Sequence, residues 1–225
     1  MENILELFSG THSVGKTIKN KYPNKYHIVS LDRDLKDNEN ISNTHIMEDI
    51  MTWDYKVYPP NHFKIIWASP VCVWWSNLKN CWIGRKLKGM DRLLTRQDII
   101  NDIDKFGKPM VDKVREIIDY FKPQYYFIEN PQTGQMKTYI TDLPYYDVDY
   151  CKYSDWGYKK RTRIWTNVIN FKPKICKKDC DNLIITSNQK TLIKNIKHAT
   201  ECSRNCNRLE RYRIPPKLIE DLFNF

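Results

Sequence analysis

Short apolar runs alternating with helix-patterned segments constrain this chain more than any other feature. Residues 3–8 (NILELF), 26–31 (YHIVSL), 63–68 (FKIIWA) and 125–129 (YYFIE) are brief and apolar and read as buried strands. Residues 146–150 and 162–167 read as two more. Residues 14–22 pattern as a short amphipathic helix, and 97–121 carry apolar residues at helical spacing, broken by Gly107 and Pro109. Strands separated by helices predict an α/β fold with a mostly parallel sheet covered on both faces. Ligands of such sheets bind beyond the carboxyl ends of the strands. The polar punctuation falls at those ends: Ser9-Gly10, Asp32, Ser69-Pro70 and Glu129-Asn130-Pro131.

A chain of 225 residues suits one such domain with a small appendage. Its formal net charge of +10 points to a polyanionic partner, against the plainer alternative of a solvated lysine-rich surface. Seven Trp and 14 Tyr interleaved with Lys and Arg tilt the choice toward nucleic acid, because aromatic faces stack on bases. The opening MENILELFSG has no basic leader, and no run reaches the ~18 apolar residues of a membrane span. The expectation is an intracellular protein, in cytoplasm or nucleus, not secreted and without a membrane partner. Its seven cysteines are then expected to be thiols, metal ligands or catalytic groups rather than disulfides.

Each rim element has a plain and a functional reading. ELFSGTHSVG, residues 6–15, is a strand, a small-residue turn and a helix, which sets backbone N–H groups beside a ligand or is merely a connection. Asp32 accepts ribose hydroxyls or caps a helix. Asp49, where a third strand should end, could meet an adenine amino group. WASPVCVWWS, residues 67–76, puts Cys72 in a loop after a buried strand, as a nucleophile or as an inert thiol. Glu129 ends an apolar strand, where a protonated carboxyl could donate to a ring nitrogen or simply cap a turn. Arg161 and Arg163 alternate, so both face one side, for phosphate or a base carbonyl, or as edge-strand guards.

In this order the elements resemble the cytosine-C5 DNA methyltransferase family. ELFSGTHSVG is similar to the family's first cofactor motif, VSLDRD to the acidic second, and EDI at 48–50 to the third. ASPVCVWWS resembles the nucleophile motif, ENP the ENV or ENP motif, and KKRTR at 159–163 the QxRxR motif with Lys159 for glutamine. ERYRIPPKLIEDLF resembles the segment before the last motif; the closest likeness is to short phage- or large-virus-type members. Val71 stands where the family has proline, the family's GN-containing last motif is not recognisable, and its large target-recognition domain is absent or reduced.

The resemblance implies a Rossmann-like S-adenosylmethionine-dependent sheet with a small, reduced target-recognition region. It implies a catalytic domain over 1–170 with an insert at 73–96 near the active site, a Cys- and base-rich lobe at 171–213, and a C-terminal helix at 214–225 packing back. Phe8, Ser9, Gly10, Thr11, Ser13, Asp32, Arg33, Asp49, Ile50, Ser69 and Pro70 would bind the cofactor. Cys72 would attack carbon 6 of a flipped cytosine, Glu129 hold ring nitrogen 3, and Arg163 bind the carbon-2 carbonyl, with Arg161 supporting the site or a phosphate. Trp74, Trp75, Ser76, Arg85 and Lys86 are the candidates for contacting nucleic acid, duplex DNA above all, by a monomer. Neither 73–96 nor 171–213 reads as core. The alternatives are a tRNA cytosine-C5 methyltransferase, an inactive module that binds cofactor or nucleic acid, and a small-molecule methyltransferase, which the charge disfavours.

Cys176-x3-Cys180 followed by His198, Cys202 and Cys206 leaves two readings open. Either Cys176, Cys180, Cys202 and Cys206, with His198 available, hold a tetrahedral zinc, or all are free thiols of a recognition lobe.

Overall fold

The computed structural model describes residues 1–34, 41–187, 194–198 and 212–224. Among them, seven strands form one sheet: β1 (Glu2–Leu7), β2 (Tyr26–Leu31), β3 (Thr44–Ile46), β4 (Ile65–Ala68), β5 (Tyr125–Pro131), β6 (Tyr145–Asp149) and β7 (Arg161–Thr166). Their spatial order is β3-β2-β1-β4-β5-β7-β6. The pairs from β3 through β5 are parallel, whereas β7 runs antiparallel to both β5 and β6. The reversed β7 brings its first residues to the rim where the other strands end. One edge therefore carries the carboxyl ends of β1 to β6 and the start of β7, and every candidate catalytic group lies there.

The strands form where apolar residues are continuous, because both faces are covered. On one face, α1 (Ser13–Lys21) and α5 (Pro216–Leu222) pack Val14, Ile18, Leu218, Ile219 and Leu222 over Ile4, Trp67 and Phe127. Phe223, just beyond α5, stacks on Phe127 with ring centroids 5.4 Å apart. On the other face, α2 (Arg96–Asp102) and α3 (Lys108–Phe121) pack Ile99, Val111, Val114, Ile117 and Phe121 over Leu5, Ile66 and Ile128. A fourth helix, α4 (Met136–Tyr139), follows β5.

The helix predicted over 97–121 is continuous through Gly107 and Pro109, because Ile103–Gly107 forms a π-helical turn between α2 and α3. Proline offers no N–H to the turn behind it, and a wider turn accommodates that gap. A Cβ on Gly107 would lie 3.0 Å from the Trp75 ring, so only glycine lets the turn approach the loop after β4 so closely. Beyond the main sheet, β8 (Leu183–Ser187) and β9 (Lys194–His198) form an antiparallel hairpin.

Candidate active site

The loop after β1 alternates left-handed residues, with φ of 57° at Phe8, 47° at Gly10 and 53° at His12. Its amides are held by the neighbouring strand: Ser9 N donates to Leu31 O at 3.1 Å and Gly10 N to Asp32 Oδ2 at 2.9 Å. The other Asp32 oxygen accepts from Asp34 N at 3.0 Å. Arg33 reaches Asp49 at 3.6 Å across the rim, and Asp49 caps the Met51 amide at 2.9 Å. Ile50 and Pro70 are buried beside Asp49 and Ser69.

Two expected cofactor contacts are engaged within the protein. Thr11 Oγ1 lies 2.9 Å from Ser13 Oγ, which accepts from Ile214 N at 3.0 Å and ties the C-terminal segment to this loop. The α1 amides expected to face a ligand are likewise occupied: Val14 N and Gly15 N donate to the Glu6 carboxylate at 3.1 and 3.2 Å. Burial raises the Glu6 carboxyl to about 7 in spite of these donors. Sequence reading passed over Glu6 because an acid inside an apolar strand signals nothing until the helix above it is placed. The buried Ser9 hydroxyl, by contrast, has no hydrogen-bond partner among the described residues. This unpartnered hydroxyl, the acids at the ends of β2 and β3 and the unusual β1 loop fit an adenosine-type cofactor.

Cys72 opens a 3-10 turn, Cys72–Trp75, directly after β4. Asn130 Nδ2 donates to Pro70 O at 2.8 Å, pinning the cysteine loop to the end of β5. Two further bonds join the same loops: Gln135 N to Trp75 O at 2.8 Å and Asn77 Nδ2 to Thr133 O at 2.6 Å. Gly134 is required at this seam, since a Cβ there would lie 3.1 Å from Trp75 O. Val71 takes φ −55°, within the range to which a proline ring would confine it. The loop thus has the backbone its missing proline would impose.

Glu129 is buried and accepts from Tyr150 Oη at 3.0 Å. Lys160 Nζ stands 3.6 Å from its Oε1. Burial pushes the Cys72 thiol up, Lys160 pulls it down, and Glu129 pushes it further up. Cys72, Glu129, Tyr150 and Lys160 therefore form one electrostatic unit.

Arg161 and Arg163 are committed to acids on β6. Arg161 makes a two-pronged pair with Asp149 at 2.9 and 2.8 Å. Arg163 pairs with Asp147 at 2.8 and 2.9 Å, and its guanidinium lies 3.5 Å over the Tyr145 ring. Alternation does put both arginines on one side of β7, but the cation brought to Glu129 is Lys160, on the other phase of the strand. Lys160 was missed because sequence shows the alternation of a strand and not which phase faces the site.

Trp75 corrects an expectation. It is 2% exposed, belongs to the core and stacks on Tyr139 at 5.6 Å, so it is no surface contact for nucleic acid. Trp75 and Leu94 also make part of 73–96 core, with the Trp75 ring packed against Gly107 of the π turn. Trp74 is half-buried, stacked 4.7 Å from Phe106 with Lys79 Nζ 4.7 Å over its ring. Ser76 caps the turn beginning at Asn77, accepting from Leu78 N at 3.3 Å. Arg85, Lys86 and Trp82 are exposed.

No family model matches the chain. It is 38% identical, over 230 residues covering 98% of each chain, to a protein of Frog virus 3 (isolate Goorha) named a probable DNA (cytosine-5)-methyltransferase. The chain belongs to the DNA (cytosine-5)-methyltransferase family. Among solved structures, it is 9% identical to the 16S rRNA methyltransferase KamB (TM-score 0.29, 64% of this chain and 57% of that one). It is 12% identical to an antibiotic-related methyltransferase (TM-score 0.35, 75% and 88%). The strand order and the sequence relative, rather than these low scores, carry the Rossmann-like methyltransferase fold. The cysteine loop, the ENP segment and the basic segment of the chain lie on one rim, with Lys160 beside the Glu129 carboxylate. No helix among the described residues is long and apolar enough to cross a membrane.

Proposed function

We propose that this chain methylates carbon 5 of cytosine in DNA, with S-adenosylmethionine as methyl donor and Cys72 as nucleophile. The observation that carries the proposal is Cys72 at the strand rim, sharing its electrostatic environment with Glu129 and Lys160, in a chain matched along nearly its whole length by a relative of that name. When bound, the cofactor supplies an electrophilic methyl group. Phe8, Ser9, Gly10, Asp32, Arg33, Asp49, Ile50, Ser69 and Pro70 would hold it, with Thr11 and Ser13 shaping the loop.

Carbon 5 of cytosine is a weak nucleophile. Addition of the Cys72 thiolate to carbon 6 makes the ring electron-rich at carbon 5. Glu129, oriented by Tyr150, holds ring nitrogen 3. Lys160 serves the carbon-2 carbonyl and the thiolate, while Arg161 and Arg163 set β7 against β6 through their acids. After methyl transfer a base takes the carbon-5 proton, its bonding electrons re-form the 5,6 double bond, and the C6–S bond breaks to release the Cys72 thiolate. The base must leave the duplex to reach this rim. Exposed Arg85, Lys86 and Trp82, with half-buried Trp74, would serve phosphates and neighbouring bases.

A duplex carrying 5-fluorocytosine tests this directly, because fluorine cannot leave as the proton does and the cysteine adduct persists. With S-adenosylmethionine, the expected result is a covalent protein–DNA species whose linked peptide contains Cys72, absent in Cys72→Ala. An adduct at another cysteine, or none while unmodified duplex is methylated, would overturn the assignment.

A further inference from the structure

Three thiols and an imidazole that the proposed reaction does not use converge on one point. Cys151, Cys176, Cys180 and His198 present ligand atoms that all lie within 4.8 Å of one another. His198 Nε2 is 3.4 Å from Cys176 Sγ and 3.2 Å from Cys180 Sγ. In a tetrahedron with zinc–sulfur and zinc–nitrogen bonds of ~2.3 and ~2.05 Å, sulfur and nitrogen corners stand ~3.6 Å apart. The observed spacings are already close to that. Cys151 and Cys176 are 4% exposed, while Cys180 and His198 are half-buried, so the cluster lies just below the surface.

Backbone groups are aimed at the cluster. Lys178 adopts φ +65°, closing the Cys176–Cys180 turn so that the amides of Asp179 and Lys178 point at the Cys176 sulfur. Asp149 accepts from Cys176 N at 2.8 Å, which fixes the turn against the end of β6. Lys159 Nζ donates to Cys176 O at 3.1 Å, and Lys152 pairs with Asp179 at 3.2 Å. Three thiols cannot all be satisfied as one disulfide, and all three are free.

We propose that Cys151, Cys176, Cys180 and His198 bind one structural Zn²⁺. Four protein ligands close the coordination shell and leave no open position for catalysis. The set differs from the one the late-cysteine spacing predicted: Cys151, just past β6, takes a place assigned there to Cys202 or Cys206, both of which lie outside the described residues. Sequence reading confined itself to the cysteine-rich lobe, whereas the ligands come from three places: the turn after β6, the Cys176–Cys180 turn and the end of β9. The ion would staple the β8–β9 hairpin to the catalytic sheet. It would also steady the turn holding Tyr150, whose hydroxyl meets Glu129. This inference stands independently of the proposed reaction.

The test is elemental analysis of the full chain, purified without chelator or added metal. Wild type, Cys81→Ser and the Cys202→Ser/Cys206→Ser double variant should each carry about one zinc per chain, and Cys151→Ser and Cys176→Ser less than about 0.2. Should the ligand variants fail to fold, wild-type protein stripped by chelator and titrated with Co²⁺ decides. Intense visible bands and a near-ultraviolet thiolate-to-cobalt transition, saturating at about one equivalent, are expected of a tetrahedral thiolate site. Wild type with no zinc and no cobalt spectrum, iron in place of zinc, or Cys151→Ser retaining full zinc while the Cys202/Cys206 variant loses it would each overturn the proposal.

Discussion

At the parallel half of the rim, the β1 loop is held by its own backbone amides, Ser9 N on the Leu31 carbonyl, Gly10 N on the Asp32 carboxylate, and Val14 N and Gly15 N on the Glu6 carboxylate. At the antiparallel half, β6 and β7 are joined above their backbone ladder by charged side chains. Arg161 grips Asp149, Arg163 grips Asp147, and Lys160 and Tyr150 both reach Glu129. The first arrangement makes a backbone cradle and the second a set of fixed charges. The difference suits the proposed reaction, which needs a cofactor held at one end of the rim and a base polarised at the other.

The two arginine pairs give the sharpest way to separate positioning from catalysis on the β6–β7 edge. Burial alone would push the Asp149 carboxyl up, but Arg161, the Cys176 amide and Lys159 outweigh it and hold it below the usual carboxylate range. Arg161→Ala leaves this fully buried carboxylate with only the Cys176 amide and Lys159, and should cost about 3 kcal/mol in urea unfolding. Arg163→Ala frees Asp147, which is a quarter exposed, and should cost about 1 kcal/mol. Equal losses would remove the distinction drawn between the pairs.

The cradle half makes the opposite kind of prediction, a pH dependence. Glu6 titrates at about 7 when folded against an ordinary 4.5. A carboxyl raised in the folded state contributes stability that is complete below about pH 4.5 and is lost as pH rises through about 7. The loss should reach about 3 kcal/mol by pH 8. Denaturation of wild type between pH 5 and 8 checks it, with Glu6→Gln expected to flatten the curve.

Smaller effects probe the catalytic unit itself. Lys160→Met should raise the pH midpoint of Cys72 alkylation, followed on the Cys72 peptide by mass spectrometry, while Lys160→Arg leaves it unchanged. Smallest of all, Val71→Pro should stabilise the chain by about 0.5 kcal/mol, since Val71 already has a proline-compatible φ. Destabilisation would mean that the Val71 amide or the preceding residue carries more than the backbone angle suggests.

The same division explains what was legible in the sequence. Six of the seven main-sheet strands stand out as short apolar-patterned runs, and Asp32, Cys72 and Glu129 could be found because each lies near the carboxyl end of its own strand. Three-residue β3 is too short to make a pattern; only the acid after it, Asp49, hinted at a strand. Lys160, Tyr150 and Cys151 were not legible, since each acquires its meaning from pairing across β5, β7 and β6 or from the distant His198. Trp75 was misread because an aromatic beside a catalytic cysteine serves core and surface equally well until the π turn at Ile103–Gly107 is in place. The arginines of KKRTR were found but not their acids, which lie 12 and 16 residues earlier on a neighbouring strand.

The central claim is that the Cys72 rim methylates cytosine in DNA at carbon 5. Incubating wild type and Cys72→Ala with tritiated S-adenosylmethionine and duplex DNA, single-stranded DNA or tRNA, then digesting and identifying the labelled nucleoside, tests it most directly. The account predicts label in 5-methylcytosine from duplex DNA, reduced at least ~10³-fold in Cys72→Ala. Label from tRNA alone, label at another position of the base, or full turnover by Cys72→Ala would contradict it.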